Sequence, residues 1–174
     1  MKVAFGKKVA DDVKSGRFFA YFGLMFGLIA IDLLTKALAD AYSVKMKLIP
    51  GLLELRMCYN TGSAFSFLAG KEWAQTFFIV LTCVVCAVLF VVYFFVSPQK
   101  RVARLAIAFL IGGAAGNFID RVALHHVRDF VDFPFFAVCN FADFFITAGC
   151  VLLFVHLLFL DEDALFRSGK EKNE

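Results

Sequence analysis

Polar and apolar positions along this chain gather into long blocks. Four apolar segments, at about 18–38, 73–96, 102–119 and 141–160, carry few charges. Each approaches the ~20 residues with which a helix crosses ~30 Å of hydrocarbon. Backbone groups in lipid must be satisfied within the segment, and two-residue alternation is too weak for a barrel, so helices are predicted. Segment 40–72 is long for a link between two such helices. After Pro50-Gly51, the run Leu52–Met57 partly alternates, which predicts a short sheet or curved strand region against the membrane surface. Gly62, Ser63, Ala64, Phe65 and Phe67 predict a close backbone turn followed by an interfacial anchor. No internal repeat is visible. The expected architecture is one mainly α membrane domain over residues 1–174.

Composition agrees with that pattern. Hydrophobic residues make up 61% of the 174 and charged ones 19%, against about 45–50% and about 25% in soluble domains. The mean hydropathy is +0.78. A net charge of +3 is too small to suggest a nucleic-acid partner, and the basic residues sit between apolar runs rather than forming a stripe, so no such partner is expected. Five cysteines cannot form a complete internal disulfide framework, and Cys83 and Cys86 form a CxxC inside an apolar run without βαβ context. About seventeen mixed-charge residues precede an apolar segment too long for a signal h-region, so no cleavable signal peptide is expected. The 24 phenylalanines suit lipid and interface contact.

The short flanks set the orientation. Lys2, Lys7, Lys8, Lys14 and Arg17, then Lys100, Arg101 and Arg104 after Ser97-Pro98, then Arg167, Lys170 and Lys172 share one side of a four-span chain. That side is expected to be cytoplasmic, with both termini inside. Lys45, Lys47, Arg56 and Lys71 weaken the bias without reversing it.

Ionised groups in or beside hydrocarbon need a reason. Asp32 and Lys36 lie four apart, which predicts an ion pair closing the first helix and reaching the interface. Asn117, Asp120 and Arg121 cluster at the end of the third helix after Gly112, Gly113 and Gly116, small residues that allow close packing. Asp129 and Asp132 recur among aromatics in a segment expected at the outer interface. Asn140 is a natural N-cap of the fourth helix, with Asp143 at its third position. Capping explains Asn140 well and Asp143 only in part.

Two carboxylates in a partly dry site can share a proton, one taking a proton from water while the other donates to a carbonyl. Such a pair needs no metal and no covalent intermediate. Competing chemistry is poorly supplied. His125 and His126 are adjacent, HExxH, GxSxG and phosphate-loop patterns are absent, and a Ser/Thr–Lys arrangement would need Thr35 or Ser43 beside Lys36. Chemistry alone leaves five candidates for the pair: Asp32, Asp120, Asp129, Asp132 and Asp143.

At these residues the chain resembles the lipoprotein signal peptidase (signal peptidase II) family of bacteria. Asp32-Leu33-Leu34-Thr35-Lys36, Asn60-Thr61-Gly62-Ser63-Ala64-Phe65, Gly112 to Arg121, Val127-Arg128-Asp129-Phe130 and Asn140-Phe141-Ala142-Asp143 match its motifs in order. The resemblance implies Asp129 and Asp143 as a catalytic aspartyl dyad. It implies substrate-binding or supporting roles for Asn60, Gly62, Asn117, Arg121, Asn140, Asp32, Lys36 and Asp120, with no metal and no cofactor. It further implies four transmembrane helices, a small extracytoplasmic β-cradle in 40–72, and an interfacial helix or loop over the site. The implied substrate is a diacylglyceryl-modified prolipoprotein cut before its lipidated cysteine, by a monomer among membrane lipid in the bacterial inner membrane, with the site toward the outer face. Arg128 and Cys139 depart from the family pattern. Arg128 is expected to contact lipid phosphate or lower the pKa of Asp129. A transporter or channel would instead spread its carboxylates through the membrane depth with broken helices or repeats, and a purely structural protein would leave the paired polar motifs unexplained.

Overall fold

The computed structural model describes residues 16–62, 71 and 73–160, with 10, 13 and 14. The expected anchor at Ser63–Phe67 and most tail cations (Lys2, Lys7, Lys8, Arg167, Lys170 and Lys172) lie outside these residues. The chain runs α1 (Arg17–Ala41), β1 (Lys45–Ile49), β2 (Leu53–Asn60), α2 (Ala74–Phe95), α3 (Arg101–Leu124), β3 (Val127–Phe133), β4 (Ala137–Cys139) and α4 (Phe141–Val155). A π-helical turn, His156–Leu160, continues α4.

Among the described residues four helices are long and apolar enough to span a bilayer. They alternate in direction, so the sheet lies at one end of the bundle and the Ser97–Lys100 link at the other. Half of the most apolar stretch of α3 is buried, against 17%, 11% and 11% for α1, α2 and α4, which makes α3 the central helix. The outer helices turn residues such as Phe26, Val84, Val88 and Phe154 away from the protein, as lipid contact requires. Helix α3 continues to Leu124, past the expected end near 119. Its Asn117, Asp120 and Arg121 are buried with partners inside the protein and therefore do not stop the helix.

Glycine permits the closest helix approaches. A Cβ on Gly113 would meet the Ala142 carbonyl oxygen at 2.6 Å, and one on Gly116 would overlap Asp32 Oδ2. Both glycines bring α1 and α4 against the central helix at the level of the polar cluster.

The strands form one antiparallel sheet in the order β1-β2-β3-β4. The sequence pattern predicts strands only within 40–72, so β3 and β4 were not anticipated. Four consecutive residues of β3, Asp129 to Asp132, are covered along with Val127, which hides the usual alternation of a half-exposed strand. Pairing of Cys58 with Asp129 and of Asn60 with Val127 carries one motif to another across about seventy residues. Phe130 and Val131 pack with Ala39, fixing the sheet onto the end of α1.

Candidate active site

Strand periodicity decides which aspartates face the site. Val127, Asp129 and Phe133, at odd positions of β3, line a cavity of about 590 Å³. Asp132 points the other way and accepts from Arg56 Nε at 2.7 Å. Asp143, in the first turn of α4, lines the same cavity as Asp129. The rest of the wall is mainly apolar, with Phe78 and Thr82 from α2, Ala114 from α3, and Phe144 and Ile146 from α4.

Helix α4 begins with a reciprocal cap. Asn140 Oδ1 accepts from the Asp143 amide and Asp143 Oδ2 accepts from the Asn140 amide, both at 3.1 Å. The cap occupies only one Asp143 oxygen, and Oδ1 accepts from Asn117 Nδ2 at 2.9 Å. Asn140 Nδ2 donates to Asp129 Oδ1 at 2.6 Å and to Asn117 Oδ1 at 3.1 Å. The two aspartates are thus tied through two side-chain amides. Asn60 Nδ2 donates to the second Asp129 oxygen at 3.0 Å, while Asn60 Oδ1 accepts from the Gly62 amide.

Burial is the main force on Asp129, which is 3% exposed. It raises the carboxyl to about 6, aided by the Asp143 charge and opposed by the hydrogen bonds from Asn60 and Asn140. Cys139 also lines the cavity, and burial followed by the Asp143 and Asp129 charges pushes its thiol up to about 12. A thiol held that high stays protonated and is a poor nucleophile.

Behind the amides lies a charged cluster. Lys36 and Asp32 are 0% exposed and 2.7 Å apart. The ion pair predicted from their spacing is present, and it is fully buried inside the protein. Lys36 also donates to Asn117 Oδ1 at 2.8 Å and lies 3.7 Å from Asp120. Asp32 accepts from the Ala142 amide at 2.8 Å, holding α1 to the first turn of α4. Asp120 takes both the backbone and the guanidinium of Arg128, the latter with one contact of 2.7 Å. Arg128 is therefore directed at Asp120, and it is not among the principal influences on Asp129. Arg121 donates to the Gly62 carbonyl at 3.0 Å and lies over the Phe78 ring, fixing the chain after β2.

The remaining sequence candidates fall outside the cavity. Thr35 donates to its own helix carbonyls at 2.8 and 2.9 Å. His126 stacks edge-on against Tyr59, and His125 ends α3 with a φ of 60°. The Arg56–Asp132 pair was missed, and only the cross-strand register could have revealed it.

Several known proteins are similar to this chain. The family described as Signal peptidase (SPase) II matches residues 24–159. The lipoprotein signal peptidase of Caldicellulosiruptor bescii is 34% identical over 152 residues, covering 86% of this chain and 98% of that protein. That of Ectopseudomonas mendocina is 39% identical over 126 residues, covering 69% and 75%. A solved bacterial membrane enzyme superposes with a TM-score of 0.70 at 32% identity, covering 80% of this chain and 87% of its own.

Proposed function

The chain belongs to the signal peptidase II family, and from that premise we propose that it is an aspartyl endopeptidase that removes the signal peptide of diacylglyceryl-modified prolipoproteins, cutting before the lipidated cysteine. The observation that carries the chemistry is the cavity shared by Asp129 and Asp143, with both carboxylates oriented by Asn117 and Asn140. In the reactive state the pair holds one proton. The ionised carboxylate takes a proton from water as its oxygen attacks the scissile carbonyl, and the protonated one donates to the carbonyl oxygen. Collapse of the tetrahedral intermediate breaks the C–N bond, and a carboxyl proton passes to the leaving nitrogen.

Asn60, Asn117 and Asn140 hold the dyad. Gly62 and Arg121 shape the adjoining wall, and Asp32, Lys36 and Asp120 support it from behind. The apolar cavity suits a lipidated substrate arriving laterally, each buried acyl CH₂ contributing about 0.8 kcal/mol. The proposed enzyme is a monomer, one domain over 1–174, in the bacterial inner membrane. Arg17, Lys100 and Arg101 at the end away from the sheet favour a cytoplasmic position for that end and for both termini, with the dyad toward the outer face.

The test is cleavage of a lipidated prolipoprotein by the purified chain. Asp129→Asn and Asp143→Asn are each expected to remain folded and to lose about 10²–10⁴-fold in rate. Full activity in either variant would remove the dyad assignment. Equal cleavage of an unlipidated substrate would remove the lipid requirement.

A further inference from the structure

The cavity that holds Asp129 and Asp143 carries two hydroxyls that hold neither carboxylate, Thr82 on α2 and Thr147 on α4. Helices α2 and α4 each pack against α3 and touch each other little, so the two threonines flank the gap between them. Thr147 follows Asp143 by one turn, and Thr82 follows Phe78 by one turn. Both helices run away from the sheet, so each hydroxyl lies about 6 Å deeper in the bundle than the residue it follows, at 1.5 Å per residue. A hydroxyl inside a helical span commonly closes on the carbonyl four residues back. Thr35 and Thr147 both do so, each at 2.8 Å. Among the described residues Thr82 makes no such bond, although α2 continues through it as regular helix.

Thr82 thus brings an O–H donor to a cavity whose other walls from α2, α3 and α4 are Phe78, Ala114, Phe144 and Ile146. A donor in apolar surroundings costs free energy until an acceptor meets it. The chemistry of that acceptor follows from the substrate class proposed above, on which this inference rests. Beyond the sulfur of a diacylglyceryl-cysteine the strong hydrogen-bonding groups are its ester linkages, and esters only accept. From the scissile nitrogen to the nearer ester carbonyl is roughly seven bonds, about 8 Å when extended. That reach covers the turn of depth between Asp143 and the threonines and allows a crossing toward α2. Thr147 is the poorer partner, because its hydrogen is already donated to the Asp143 carbonyl.

We infer that the Thr82 hydroxyl donates to an ester carbonyl of the bound diacylglyceryl group, and so selects an ester-linked lipid over an apolar chain of equal length. The test compares a diester prolipoprotein with its diether analogue, which keeps the chains and lacks the carbonyls. Full-length protein is assayed in ester-free detergent, so that the substrate brings the only ester groups. KM is expected to be about fivefold higher for the diether at similar kcat, as one lost neutral hydrogen bond requires. Thr82→Val should raise KM for the diester by the same factor and leave the diether unchanged, and Thr82→Ser should restore the preference. Thr76→Val, exposed on the same helix and outside the cavity, should change neither. Equal KM for the two substrates, or an equal rise for both in Thr82→Val, would overturn the inference and leave the proposed activity standing. Cleavage of neither substrate by the unaltered chain would remove the activity and the inference together. Inhibition by added diester phosphatidylcholine that Thr82→Val relieves, with no difference between the two substrates, would assign the hydroxyl to bulk lipid and overturn it as well.

Discussion

Lys36 Nζ donates to Asn117 Oδ1 at 2.8 Å, and that bond decides which way the amide faces. An ammonium group only donates, so the Asn117 oxygen must turn toward it and the amide nitrogen toward Asp143. A cation on α1 thereby orients a donor on α3 toward a carboxylate on α4 without touching that carboxylate. Lys36→Met should cost about 3–5 kcal/mol, because Asp32 and Asp120 would lose a buried partner. Unfolding in detergent measures the loss, and cleavage at a temperature where the variant is folded should still fall, as Asn117 Oδ1 keeps only the Asn140 donor and the amide is held less firmly.

The pH dependence separates two residues beside Asp129. Above about 6 the raised Asp129 carboxyl loses its proton, and a pair that works with one proton becomes doubly ionised. The kcat/KM profile should therefore fall on its alkaline side with a midpoint near 6. Asn60 stabilises the ionised form by hydrogen bonding, so Asn60→Ala should move this limb to higher pH. Arg128→Val should leave the midpoint in place and lower stability instead, since its partner is Asp120. A shifted limb in Arg128→Val with none in Asn60→Ala would reverse the assignment.

Asp132 tests the strand argument. It belongs to the same run of β3 as Asp129, but its side chain meets Arg56 on the other face. Asp132→Asn should retain cleavage within about twofold and cost at most about 1 kcal/mol, because Arg56 is half exposed. A loss comparable with that of Asp129→Asn would place Asp132 in the site.

The spans and the short strands after Pro50-Gly51 were legible in the sequence because lipid and sheet impose regular spacings on apolar residues. Asp32 with Lys36, and Asn140 with Asp143, were legible as local pairs at helical spacing. What those pairs touch was not. Lys36 finds Asn117, Asp32 finds the Ala142 amide, and Arg128 reaches back to Asp120, all through tertiary contacts that sequence spacing does not encode. Strand β3 stayed hidden because it is covered on both faces and carries charges where a buried strand usually has aliphatic residues. Unaided chemistry consequently left five aspartates, and family motifs were needed to choose two.

Gly116 offers the sharpest test of how α1 positions α4. A Cβ there would overlap Asp32 Oδ2 and lie 3.0 Å from Asp32 Cγ. Asp32 has little room to yield, being fully buried between Lys36 and the Ala142 amide. Gly116→Ala should cost about 1–3 kcal/mol by overpacking. It should also slow cleavage at temperatures where the variant is folded, because moving Asp32 disturbs Ala142, one residue before Asp143. Gly23 lies in α1 with nothing within 4 Å of its would-be Cβ. Gly23→Ala should therefore be neutral or stabilising by up to about 1 kcal/mol through helix propensity alone. Parallel unfolding and cleavage measurements compare the two, and equal stability and activity would mean that the Asp32 contact does not position Asp143.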